Sequence, residues 1–200
     1  MPAATLRSNQ AAETKKLLVS VARDLFTTEG YAATTIEEIT ERAGVARGAL
    51  YHHFASKQGL FKAVYDAVEA EAVNKVLSAA FAEKSPWDAV TAGLGAFLDA
   101  CLEPSFRRIV VLDSVSVLQW EVWAGGVEHV ELGMLRKVLA PLGTTPELTG
   151  TPLEPMAYIA LGAIYGAALF IARSQDPERA RSDANHILEL VIEGLRRPTG

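Results

Sequence analysis

Arg47, Gly48, Tyr51, His52, His53 and Lys57 crowd into a single short run of the chain, and between them they offer one kind of chemistry. An arginine in the first turn of a helix reaches the O6 and N7 of guanine bidentately. Gly48 beside it removes side-chain bulk where a helix must approach bases closely. Tyr51, His52, His53 and Lys57 add a hydroxyl, two imidazoles and an ammonium, donors of the kind that fix a protein on phosphates. A solvated helix also carries such residues, so composition alone leaves both readings open. Metal chemistry does not fit: adjacent His52 and His53 point about 100° apart on a helix and cannot readily chelate one ion.

Two short helices and a tight turn position this run. Thr34 or Thr35 can N-cap the first helix, with Glu37 or Glu38 three residues on completing a capping box. Ile36, Ile39 and Ala43 recur at helical spacing. Gly44 supplies the left-handed residue that ends that helix, and Val45 is placed to plug the corner. A second helix from about Ala46 to His53 follows, giving the outline of a helix-turn-helix, whose second helix reads the major groove. An earlier amphipathic helix from about Glu13 to Glu29, stopped by Gly30, completes a three-helix core through Leu25 and Phe26 with Ile36, Ile39, Leu50 and Phe54. Tyr31 is placed to fold back on its last turn.

Ala33-Thr34-Thr35-Ile36, Ala43-Gly44-Val45, Gly48-Ala49-Leu50-Tyr51-His52-His53-Phe54 and Lys57 resemble the DNA-binding signature of the TetR family of one-component transcriptional regulators, over about Leu17 to Phe61. The resemblance implies an all-α homodimer with an N-terminal three-helix helix-turn-helix domain and a C-terminal helical ligand-binding and dimerisation domain. It implies that Arg47 and Gly48 face bases, that Thr35, Tyr51, His53 and Lys57 contact phosphate, and that His52 serves either purpose. Ala46 and Ala49 depart from the Ser or Thr often found at those positions, which removes polar contacts there.

The formal charge of −5 hides a split: residues 1–65 sum to +2 and the remainder to −7. A basic head on an acidic body suits a protein that touches DNA at one end. Cys101 is the only cysteine, which excludes an intrachain disulfide and fits a reducing compartment. It shares an apolar helical face with Val90, Leu94, Phe97 and Leu98 and reads as a buried structural thiol. MPAATLRSNQ has no signal-peptide core, so a cytoplasmic location is expected.

The expected organisation is a flexible tail over 1–11, a DNA-binding domain over 12–56 and a regulatory domain over 57–200, with 57–83 as the linking helix. Ser56 or Ala55 starts that helix, and Leu60, Phe61, Val64, Tyr65 and Val68 form its stripe. Ser85-Pro86 caps the next, running to about Leu102. Ile109 to Leu112 looks locally like a strand; with no second strand to pair with, it is expected as a buried helix. Leu118 to Leu142 reads as a helix weakened at Gly125-Gly126, and Gly143 to Pro155 as the long loop. Met156 to Ala172 is uncharged for seventeen residues, slightly short for a membrane span and without a basic anchor before it. With the last helix, capped by Asp176-Pro177, it is expected to form a four-helix dimer interface over 156–197, without a membrane.

Trp120 and Trp123, three apart, with Phe106, Tyr158 and Tyr165, are the expected walls of a pocket for a small apolar or aromatic effector. No cofactor or metal is expected. The partners are double-stranded operator DNA, the effector and a second copy. An enzyme is disfavoured because no phosphate loop, HExxH or nucleophile elbow is present. The remaining alternative, an effector-independent architectural DNA binder, leaves the large apolar C-terminal part without a use.

Overall fold

The computed structural model describes residues 2–118 and 130–196, with side chains from Gln10 onward. Among these residues every regular element is helical. The head comprises α1 (Pro2–Thr28), α2 (Ile36–Ala43) and α3 (Arg47–His53). The long α4 (Lys57–Ala82) leaves it and α5 (Pro86–Ala100) packs back along α4. A π-helical turn, Phe106–Asp113, leads into α6 (Ser114–Val117). Then come α7 (Val130–Leu139), a 3₁₀ turn (Ala140–Thr144), α8 (Leu153–Arg173) and α9 (Pro177–Arg196).

α1 begins at Pro2, well ahead of the expected start, and absorbs the stretch read as a tail. Proline is tolerated in a first turn, and no Gly or Pro interrupts the chain before Gly30. The buried helix expected at Ile109–Leu112 is present in the wider π form. The helix read over Leu118–Leu142 lies partly outside the described residues, Trp120, Trp123 and Gly125-Gly126 included. Its described end tightens into the 3₁₀ turn at Ala140, where Pro141 has no N–H to continue an α-helix.

The three head helices bury Leu18, Ala22, Leu25, Phe26, Ile39, Leu50 and Phe54 together. Phe26, Tyr31 and Phe61 form a ring cluster with centroids 5.1–5.8 Å apart, which fastens the start of α4 to the head. This core runs on without a break to Leu98, Cys101 and Ile109 of the body. A second cluster gathers Val76, Trp87, Leu132, Leu135, Leu139, Leu142 and Ala157. Cys101 is fully buried, and desolvation pushes its thiol up to about 12, as expected of an inert structural cysteine.

Polar ties also hold the head to the body. The Tyr31 N–H donates to Asp113 Oδ2 at 2.8 Å, and Gln58 Nε2 donates to the Val117 carbonyl at 2.8 Å. Arg23 pairs with Glu71 at 2.7 Å and donates to Ser105 Oγ at 3.2 Å. Gly30 ends α1 with φ +84°, and a Cβ there would lie 1.8 Å from Nη2 of Arg108, which itself donates to Asp113. Gly44 ends α2 with φ +65° and open space around it.

Gly30→Ala and Gly44→Ala each force alanine into the left-handed region, at a cost of about 1–2 kcal/mol. Gly30→Ala must also displace Arg108, so urea unfolding is expected to show the larger loss for it. Equal losses would place the whole constraint in the backbone.

Candidate nucleic-acid interface and regulatory cavity

Thr35 caps α2: its Oγ1 accepts from the Glu38 N–H at 3.2 Å, and Glu38 Oε2 accepts from the Thr35 N–H at 2.8 Å. This capping box orients the turn that presents α3. The Thr35 hydroxyl and then its N–H hold the Glu38 carboxyl below its ordinary range. On α3, Leu50 is fully buried in the head core and anchors the helix. Arg47, Gly48, Tyr51 and His52 are exposed, whereas His53 and Lys57 are half-buried. A Cβ on Gly48 would meet nothing within 4 Å, so the fold itself does not demand glycine there.

Arg47 is held from two sides, by Glu37 at 2.5 Å and by the Tyr51 hydroxyl at 3.4 Å, with its guanidinium 5.7 Å from the Tyr51 ring centre. Lys57 Nζ stands 4.2 Å above the Tyr31 ring, and burial draws its pKa down. Thr35, Arg47, Gly48, Tyr51, His52, His53 and Lys57 thus all belong to the helix-turn-helix and its junction with α4.

The regulatory residues fare differently. Phe106 is buried edge-on to Phe97 at 6.1 Å, and Tyr165 is partly buried against Glu131. Tyr158 is 54 % exposed and is not among the walls of the main cavity or of its neighbouring void. Glu131, at the start of α7, covers Tyr165 but not the position two turns earlier on α8. Trp120 and Trp123 lie outside the described residues.

The main cavity, about 390 Å³, opens between α5, α7, α8 and α9. Among the described residues Trp87, Leu94, Met134, Leu139, Ala160 and Ile192 stand in its walls. Neither Phe106 nor Tyr165 reaches it. They border a neighbouring void of about 30 Å³, which shares Val76, Phe97, Met134 and Ile164 with the large one. Sequence reasoning missed the cavity because Val90, Leu94 and Leu139 carry the same periodicity whether they fill a core or line a space. The small wall residues Gly93, Ala160 and Ala163 are the signal that was available.

Residues 87–195, over half the chain, match the profile described as "Tetracyclin repressor-like, C-terminal domain". The chain belongs to the TetR family of transcriptional regulators. Residues 18–64 match the profile "Bacterial regulatory proteins, tetR family". The transposon Tn10 TetC protein of Escherichia coli is 29% identical over 107 residues, 54% of each chain. The regulator AcrR of Shigella flexneri is 40% identical over 60 residues, 30% of this chain and 28% of its own. The match therefore spans about half the length of the first relative and under a third of the second. A TetR-family regulator from Pectobacterium atrosepticum superposes with TM-score 0.78 at 28% identity, covering 94% of this chain and 96% of its own. FadR from Bacillus subtilis, in complex with stearoyl-CoA, superposes at 0.71 with 16% identity over 90% and 98% of the two chains, a likeness of fold.

Beside the small void, this TetR-family regulator buries a polar hub that joins α4, α7 and α8. The Tyr65 hydroxyl donates to Glu69 Oε1 at 2.5 Å and lies 3.4 Å from Glu131 Oε1, while the Tyr165 hydroxyl donates to Glu131 at 2.9 Å. Burial first, then the hydrogen bond and charge of Glu131, push Glu69 up to about 8. Burial and Glu131 likewise raise both tyrosines.

A carboxyl whose folded pKa exceeds its unfolded value holds a proton in the folded state that the unfolded chain has released. Stability contributed by Glu69 is therefore complete below the ordinary carboxylate range and falls as pH rises toward about 8. Urea unfolding at pH 5 and pH 8 is expected to show this loss, and Glu69→Gln to reduce it. A Glu69→Gln variant with the wild-type slope would assign the pH dependence to other groups.

Proposed function

We propose that this chain is a homodimeric repressor that holds a pseudo-palindromic operator and releases it when a small apolar effector fills the 390 Å³ cavity. The observation that carries the DNA half is the exposed N-terminal turn of α3. There Arg47 and Gly48 stand free of the core while Leu50 locks the helix into it. Arg47 and Gly48 face base edges, Thr35, Tyr51, His53 and Lys57 take phosphates, and His52 serves either. Residues 12–56 form the reading domain and 57–200 the regulatory one, with α4 between them. The stearoyl-CoA complex of FadR supports a small-molecule role for the helical body of this fold.

Dimerisation is assigned to the outer faces of α8 and α9. Tyr158, Ile159, Leu169, Phe170, Ile187 and Leu190 are exposed there, and Gly162 and Gly166 leave room for close approach. A second copy buries this surface and sets the spacing of the two heads. An effector releases DNA to the extent that it binds the operator-incompetent spacing more tightly; a hundredfold loss of DNA affinity requires about 2.7 kcal/mol of such preference.

Arg47→Ala is expected to cost about 1–3 kcal/mol on the selected operator and to relax base preference, whereas Lys57→Ala weakens all duplexes alike. Equal losses for Arg47→Ala on specific and random DNA would remove it from base readout. With about eight phosphates engaged, affinity falls roughly ten-thousandfold between 50 and 200 mM salt. Gly166→Glu is expected to break the dimer, read by sedimentation; wild-type protein that sediments as a monomer at micromolar concentration would refute the interface.

A further inference from the structure

We propose that the cavity takes a single-chain amphiphile: an unbranched alkyl or acyl chain that enters tail first and leaves its polar head at the Thr151–Pro155 end. This rests on the effector reading above and names the chemical class. Among the described residues the wall carries no ionisable side chain, and its only hydroxyl there is that of Thr151. The indole N–H of Trp87 lies toward the Glu147 carboxyl, which sits below its ordinary range through its own backbone N–H first, then Thr145 and that indole, but among the described residues neither Trp87 Nε1 nor Glu147 Oε2 makes a hydrogen bond of ordinary geometry. A buried ligand with charge or several polar groups along its length would leave them unpaired, at several kcal/mol each.

The shape selects a chain. α8 lines the cavity from Pro155 to Ile164, about 13 Å of axis at 1.5 Å per residue. Spread over that length, 390 Å³ leaves a mean cross-section of about 30 Å². This is a slot for one chain. At about 30 Å³ per non-hydrogen atom it holds ~13 atoms.

The two ends differ. Val76, Phe97, Met134 and Ile164 close the inner end with apolar side chains, and behind them stands the Glu69–Glu131 hub. Only a methyl terminus fits against that wall. At the outer end Thr151, Pro152 and Pro155 are exposed, and α8 begins with the ion pair of Glu154 and Arg136 at 2.6 Å. Glu147 and Arg196 interact nearby. Charges of both signs are present there, so the head can be a carboxylate, an alcohol, an ammonium or a thioester.

The test is calorimetry on the full chain with straight-chain carboxylic acids of six to sixteen carbons. The matching alcohols, alkyl trimethylammonium salts and acyl-CoA thioesters distinguish the head, with anthracene as a compact control. Operator release is followed in parallel. Each added methylene is expected to tighten binding about fourfold, levelling near ~13 carbons. Ala160→Leu and Ala163→Leu, two independent ways to shorten the slot, should move the optimum down by about three carbons; thermal melts establish that each variant is folded. Binding without chain-length dependence, an optimum unmoved in folded variants, or anthracene bound more tightly than any chain overturns the proposal. Chain-length-dependent binding that leaves the operator occupied supports this site and overturns the effector reading instead.

Discussion

The structure depends on one rod serving two cores. α4 is continuous from Lys57 to Ala82, and its first half buries Leu60, Phe61 and Val64 into the head while Val76 enters the second cluster. A helix of this length bends only gently without a proline or glycine break, and Gly59 sits in its first turn. Movement of the body wall at Val76 must therefore appear at Phe61 as rotation or translation, because close-packed cores do not absorb it. The Phe26–Tyr31–Phe61 ring cluster passes that movement to the head as a unit.

A second route runs beside the first. The π-helical turn places Phe106, Val110 and Val111 against the small void and Asp113 on the Tyr31 N–H. π-turns are rare and occur frequently at functional positions. Glu69 and Glu131 occupy the space between this turn, α4 and α7, where the buried Glu69 beside a second carboxyl is costly unless it keeps its proton. The hub is a polar seam inside an apolar body, and it stands behind the apolar side chains that close the inner end of the cavity. The side wall of that cavity includes Ile159, Val191 and Leu195, which are also exposed on the outer α8–α9 face. The cavity wall and the outer α8–α9 face thus share these side chains.

The helix-turn-helix was legible residue by residue because it is built from local rules. The capping box at Thr35 and Glu38, the left-handed Gly44, and the Ile39 and Leu50 periodicity each act over a few residues. The cavity in the helical body was not legible for the opposite reason. Trp87, Met134 and Ile192 are far apart in the chain, and the space between them is what remains after four helices have packed. Tyr158 and Tyr165 are seven residues apart and nearly in phase, yet one is exposed and the other hydrogen-bonded to Glu131, because coverage depends on which distant segment packs over each.

The amino-acid sequence by itself determined the helical class, the start and stop of the helix-turn-helix, the family and the chemistry of the exposed α3 side chains. These follow from short-range backbone preferences and from residue types at fixed spacing. Tertiary structure alone decided that Arg47 rests on Glu37 and Tyr51, that Glu69 and Glu131 meet, and that Trp87 stands in the cavity wall. A void and a buried carboxyl pair are properties of distance between distant segments, and hydrophobic periodicity, which specifies only which face turns inward, carries no record of what that face meets.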